Sequence, residues 1–252
     1  MYNKNIKDLI SVIIPYYKKK KFIEETIKSV LEQTYQNFEI IIVYDDIDHQ
    51  DLPYLNKIKN FDKRINLFIN KKNMGAGISR NIAINYSKGN FIAFLDSDDI
   101  WKKIKLESQI EFMKKNSLIV SHTSYDIINK RKKVISTRRA RNFYAVNDLL
   151  KSCDIGLSTV IISKKIKKLN LQFPNLKTKE DFVLWLSILK KNIPIIAFTK
   201  NLSYWRKLDN SLSTSVLQKL IDAYRVYNKH MNFNFIKSLY YVLCLSINFL
   251  KK

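Results

Sequence analysis

Residues Asn90–Trp101 read NFIAFLDSDDIW. Phe91 to Leu95 form an unbroken, mostly apolar run just after Gly89. A run of this kind reads as a strand buried on both faces, the sort found inside a parallel sheet. It stops at Asp96, Ser97, Asp98 and Asp99. Open α/β sheets bind ligands at the carboxyl ends of their strands, which is where this cluster falls. Three carboxylates so close together repel one another and favour a bound cation. Oxygen donors select a hard divalent ion, Mg²⁺ or Mn²⁺, which holds one or two protein carboxylates and bridges substrate phosphates. The same letters also suit a helix N-terminus, because Ser and Asp cap well and Asp favours the first turn. Both readings stand at this point.

Working outward, the upstream chain alternates strand and helix. LISVIIP (9–15) is a buried strand, and Phe22, Ile23, Ile27, Val30 and Leu31 give residues 21–33 the 3.6-residue period of an amphipathic helix. FEIIIVY (38–44) is a second buried strand, also ending in acids, Asp45, Asp46 and Asp48. A short helix over 53–60 and a strand over 65–69 follow. NMGAG opens a loop and helix across 73–89, with Ile78, Ile82, Ala83 and Tyr86 as its apolar face and Gly89 as its end. This alternation with short connections predicts right-handed crossovers and a mostly parallel sheet of the α/β class.

Downstream, residues 102–115 read as an amphipathic helix and 118–122 as a strand. Seven basic residues between Lys130 and Arg141 mark either a solvated loop or hairpin, or a surface for an anionic acceptor or lipid headgroup. TKEDFVLWLSILKK (178–191) is a helix with Phe182, Trp185, Leu186 and Leu189 on one face. Glu180 and Asp181 at its start form a favourable N-terminal acid pair. In the apolar tail, FNFIKSLYYVLCLSINFL (233–250), the run from Ser238 lasts 13 residues before Lys251, too short for a spanning helix of about 20 residues. It reads as a last core helix, an interfacial membrane helix or a subunit contact.

Composition bounds the partners. The chain has 252 residues, 46% of them hydrophobic, enough for one large domain with a real core. Four Gly and four Pro leave little room for long linkers. Forty-five basic against 22 acidic residues leave a net charge of +23, which calls for a polyanion, either nucleic acid or an anionic membrane face. No recognisable RNA or DNA motif interleaves bases with aromatics, so nucleic acid is not expected. Cys153 and Cys244 have no metal or redox spacing, and His49, His122 and His230 are scattered. With no signal peptide read at the N-terminus, a reducing cytoplasm is the expected home.

Three segments together carry a resemblance: SVIIPYY (11–17), SVLEQTYQNFEIIIVYDD (29–46) and NMGAGISRNIAINYSKGNFIAFLDSDDIW (73–101). In order and spacing they resemble the N-terminal half of the family-2 glycosyltransferases, nucleotide-sugar-dependent enzymes of the GT-A fold. The likeness runs through residues 9–115, with further landmarks to about 213. It implies a nucleotide-sugar-binding half over 1–115, an acceptor-binding and catalytic half over 116–213, and a helical tail over 214–252. Pro15, Tyr16 and Tyr17 would then contact the base or ribose. Asp45 would accept a hydrogen bond from uracil, although Tyr44 and Ile47 depart from the family pattern around it. Arg80 would meet the donor phosphates; otherwise it is a solvated helix charge. Asp96, with Ser97 beside it, would lie toward the ribose and Asp98 on the metal, with Asp99 structural or a cap. Ser158 and Thr159 lie in a segment, GLSTVII (156–162), that resembles the acceptor side. Asp181 matches the catalytic base, and Arg206 a residue beneath the pyrophosphate, with Leu208 where a His is often found.

The resemblance therefore implies an inverting transfer from a nucleotide sugar, a UDP-sugar by preference, to a hydroxyl of a glycan or glycolipid acceptor. The setting it implies is cell-envelope polysaccharide or lipooligosaccharide synthesis, in the cytoplasm or peripheral on the inner face of the cell membrane. The competing class is a basic nucleic-acid- or membrane-binding module without catalysis, which leaves the acids at two strand ends unexplained. A nucleotidyltransferase would need a Gly-rich phosphate loop after the first strand, and none is there.

Overall fold

A computed structural model describes residues 8–208 and 216–250, with 249 and 250 described by their backbone only. Four parallel strands start the sheet: β1 (Ile10–Tyr16), β2 (Phe38–Tyr44), β3 (Ile65–Ile69) and β4 (Phe91–Phe94). They lie in the order β3-β2-β1-β4, joined through helices α1 (Lys20–Leu31), α2 (Leu52–Lys59) and α3 (Ala76–Tyr86). Strands β1 and β2 are buried along their whole length, as their continuous apolar runs require. Alternation then splits the core into two layers. Ile10, Val12, Ile14, Ile40 and Ile42 face one side, packing with Ile23 and Ile27 of α1. Ile13, Ile41, Val43, Ile92 and Phe94 face the other, packing with Phe182 and Trp185. Each such side chain contributes about 1.5–3 kcal/mol by leaving water.

The sheet continues past β4 with a change of direction. β5 (Ile100–Trp101), α4 (Lys105–Lys115), β6 (Val120–Ile128), β7 (Val134–Arg138), α5 (Val146–Leu149), β8 (Ile161–Ser163), α6 (Glu180–Lys190) and β9 (Ile195–Arg206) complete it. β8 pairs antiparallel with β4 and β6, β9 runs parallel to β6, and β5 closes antiparallel on β9. The parallel half is thus extended by a mixed half, and one sheet crosses the boundary at residue 115. The basic run folds as a hairpin, with β7 antiparallel to β6. Its turn is held by Asn129 Oδ1, which accepts from Arg131 and Lys133 N–H.

Two readings of the 73–89 segment need correction. α3 ends at Tyr86, and Gly89 is not its cap. Gly89 sits where the chain passes β1: an added Cβ would lie 2.6 Å from Ser11 N and 2.7 Å from Leu9 O. The buried face of α3 is Gly77, Ser79, Arg80 and Ala83, while Tyr86 is exposed and stacks on Phe68 at 4.1 Å. The described residues continue through α7 (Val216–Arg225), a π-helical turn (Val226–His230) and α8 (Phe235–Leu250). Leu245 of α8 is buried, with Tyr241 and Val242 packed against the core. Among the described residues no helix is long and apolar enough to cross a membrane.

Candidate active site

The turn after β4 is built around Asp99. Its carboxylate is buried and accepts from the Ser158 hydroxyl and, at 2.9 Å, from Arg206 N–H. Ser158 in turn accepts from Asp96 N–H at 3.0 Å. Arg206 donates through Nε to the Asp98 carbonyl at 2.9 Å and through its terminal nitrogen to Glu25 at 2.8 Å. The Arg206 guanidinium, buried over the Phe22 ring, therefore braces the back of the turn. Burial, with repulsion from Asp98 and Asp96, pushes the Asp99 carboxyl well up. Thus Asp99 and Arg206 shape the turn that presents Asp96 and Asp98.

Asp98 meets Lys19, whose Nζ lies 2.8 Å from Oδ2. Lys18 adopts the left-handed conformation (φ 50°), turning the chain out of β1 between strand and α1. Burial raises the Asp98 pKa, and Lys19 only partly offsets it. Asp96 and Asp98 are hard oxygen donors, and among the described residues no three His, Cys, Asp or Glu are grouped to hold a metal by themselves. Such a donor set fits Mg²⁺ or Mn²⁺ completed by substrate phosphate oxygens, as these ions are commonly held.

Arg80 joins the two acidic clusters. Its guanidinium donates to Asp96 Oδ1 and to Glu180 Oε1, both at 2.7 Å, over the Phe173 ring. It is 4% exposed, and its Nε is buried without a hydrogen-bond partner. α3 can lie this close to α6 because residue 77 is Gly: a Cβ there would be 3.1 Å from Glu180 Cγ and 2.9 Å from the Pro174 carbonyl. The solvated-charge reading of Arg80 is overturned by this burial.

Asp181 follows on the first turn of α6, after Lys179 in a left-handed conformation. Asp181 Oδ1 accepts from the Phe182 N–H at 2.7 Å. Burial raises its pKa, with Lys179 and Arg80 acting the other way. Asp181 and Asp96 line one cavity of about 200 Å³, with Ser158, Thr159, Tyr125 and Trp205 around it. One carboxylate from the strand end and one from the helix start thus face a common space.

The sequence model of the family described as Glycosyl transferase family 2 matches residues 11–174. The chain belongs to glycosyltransferase family 2. It is similar to TuaG of Bacillus subtilis (strain 168), a glycosyltransferase named for teichuronic acid biosynthesis, at 34% identity over 98% of both chains. It is 37% identical to WfgD of Escherichia coli, a UDP-Glc:alpha-D-GlcNAc-diphosphoundecaprenol beta-1,3-glucosyltransferase, over 97% of this chain and 94% of that one. Two other curated relatives are longer, and the chain spans 30% of their length. Among solved structures, S. aureus TarS 1-349 in complex with UDP-GlcNAc superposes with a TM-score of 0.73 at 23% identity. That match covers 88% of this chain and 65% of TarS 1-349, and it shows the GT-A fold.

In this family-2 glycosyltransferase the other expected site residues lie outside the lining of that cavity. Asp45 is buried, and its carboxylate accepts from Asn70 Nδ2 and Met74 N–H at 2.7 Å and from Gly75 N–H at 2.8 Å. It thereby fixes the loop that opens α3. Pro15 is buried inside β1, Tyr17 is exposed, and Ser97 is buried in the acidic turn. Tyr16 is buried too, donating to Asp51 at 2.7 Å. Three site residues escaped sequence reasoning. Lys19 stands in KKKK (18–21), where nothing marks one lysine from the next. Tyr125 and Trp205 come from strands that pair only in the folded chain. Gly156 was the available signal for Tyr125, since a Cβ there would lie 2.9 Å from its ring.

Proposed function

We propose that the chain transfers a sugar, with inversion, from a UDP-sugar to a hydroxyl of a lipid-linked cell-envelope glycan. The observation that carries this reading is the cavity shared by Asp96 and Asp181, donor-side and acceptor-side carboxylates on different elements. The relatives support it. TuaG is named for an envelope polymer, and WfgD takes UDP-Glc to a diphosphoundecaprenol-linked acceptor in β linkage. UDP-glucose carries an α-linked sugar, so a β product means inversion.

Asp181 removes the proton of the acceptor hydroxyl as its oxygen bonds to the anomeric carbon. The bond from that carbon to the diphosphate breaks on the opposite face, and UDP leaves. Asp98 would hold a divalent cation, with Asp96 toward the ribose; when bound, the ion neutralises charge on the leaving diphosphate. Lys19 adds a second positive charge beside Asp98. Arg80 positions Asp96 and Glu180, and Tyr125 and Trp205, which line the cavity beside Asp181, would border an acceptor sugar. Asp45, Pro15, Tyr17 and Ser97 border the base and ribose side, with Arg206 bracing the turn under the pyrophosphate. Work at a lipid-linked acceptor places the enzyme on the inner face of the cell membrane, in keeping with the net charge of +23.

Calorimetry of UDP binding tests the donor site. Wild-type protein is expected to bind UDP more tightly with Mn²⁺ than with a chelator. Asp98→Asn should fold normally and lose that dependence on the metal. Equal UDP affinity of the wild type under both conditions contradicts the donor site as drawn.

A further inference from the structure

α7 and α8 each turn one face inward and leave an apolar stripe on the other. Asp222, Ala223, Ser238 and Leu245 face inward. On the outer side stand Leu217 and Leu220 of α7 and Ile236, Leu239, Leu243 and Ile247 of α8, with Ile236 77% and Leu243 60% exposed. The helices touch through Tyr224 and Phe235, whose ring centroids are 6.2 Å apart, so the two outer stripes belong to one region of the surface.

The charge of this region is one-sided. Between residues 216 and 250 the only acid is Asp222, against Lys219, Arg225, Lys229 and Lys237. Asp222 is fully buried and engaged by Thr178 and Arg225. A second copy of the chain would set two basic faces against each other, whereas an anionic lipid surface complements both the charge and the apolar stripes. The 16 residues of α8 span about 24 Å at 1.5 Å per residue, short of the bilayer core, so the pair would lie on the membrane.

Asp222 also ties this surface to the chemistry. Its Oδ2 accepts from both the N–H and the hydroxyl of Thr178 at 3.0 Å, two residues before Glu180. The helix that carries the outer apolar stripe therefore holds the segment that leads into Asp181. We propose that the outer faces of α7 and α8 dock on an anionic bilayer, presenting the Asp181 side of the cavity to an acceptor anchored in that bilayer. The benefit to catalysis rests on the function proposed above; the docking itself rests on this surface alone.

Vesicle flotation with the full chain separates the two. Wild-type protein should float with phosphatidylglycerol vesicles and much less with phosphatidylcholine vesicles. The exposed pair Ile236→Glu and Leu243→Glu should cut partitioning roughly tenfold or more, since each change removes a large apolar contact. Lys237→Glu, an exposed change outside the apolar stripe, should weaken it as well. All variants should keep wild-type UDP binding, which reports on the donor site and shows that they fold. Wild-type protein that stays with the soluble fraction overturns the docking surface, as do acidic variants that float like wild type. Light scattering that finds a dimer broken by Leu243→Glu, without lipid binding, assigns the face to a second copy and overturns it too. Loss of UDP binding in wild-type protein would instead sink the proposed function and leave the flotation result to stand by itself.

Discussion

Asp181→Asn is expected to lower turnover roughly 10²–10⁴-fold, the usual worth of a general base, with UDP binding unchanged. A sugar hydroxyl is a weak nucleophile near neutral pH, so attack needs a carboxylate in the cavity to take its proton. Asp96 is engaged by Arg80, Asp98 by Lys19, and Asp99 by Ser158 and Arg206. Glu180 is held by Arg80 as well. Asp181 lines the same space and has no basic side chain within ion-pair distance among the described residues. Burial raises its pKa, so the base loses its proton above the ordinary aspartate range. The acid limb of the wild-type rate profile should accordingly lie above that range, and Asp181→Asn should flatten it. An Asp181→Asn enzyme with near-native turnover would remove the base from the mechanism.

Arg80→Met is expected to cost about 3–5 kcal/mol of stability, because removing one partner leaves buried carboxylates without compensation. Glu180 is the more buried of the two, and Arg80 acts against the upward shift that burial gives its carboxyl. The value should lie toward the low end, since the Asp96 side chain keeps 32% exposure. Arg80→Lys keeps one charge but cannot bridge two carboxylates in a fixed fork, so it should fall between. A urea midpoint for Arg80→Met equal to wild type would show that the bridge contributes nothing to the fold.

The parallel half was legible because its signals are local. The runs at 38–44 and 65–69 are buried or sheet-forming in themselves, and both strands lie where they were read. β6 was read as 118–122 and runs on to Ile128, its continuation hidden by the polar stretch Ser121, His122, Thr123 and Ser124. All four are buried between neighbouring strands, where hydrogen bonding replaces hydrophobicity. β9 went unread along its whole length, 195–206, for a related reason: Thr199, Lys200 and Asn201 interrupt it where its register with β6 shifts.

At the site, the acids were legible and their partners were not. DSDD and ED stand out as letters, but Lys19 is one lysine among four, and nothing local says that it reaches Asp98. Arg80 could be picked out, yet its contact with Glu180 spans 100 residues and depends on Gly77 letting two helices approach. Asp45 was visible as a strand-end acid, whereas its bonds to Met74 and Gly75 N–H arise from a loop folding back over β2.

The most direct test of the account is the anomeric configuration of the product. UDP-α-glucose, Mn²⁺ and a synthetic GlcNAc-diphosphate lipid are incubated with the enzyme, and the new linkage is read by proton NMR; other UDP-sugars follow if glucose is not taken. The account predicts a β-linked sugar, formed only when metal is present and lost with Asp181→Asn. A product that keeps the donor's α configuration, or no transfer from any UDP-sugar, would contradict it.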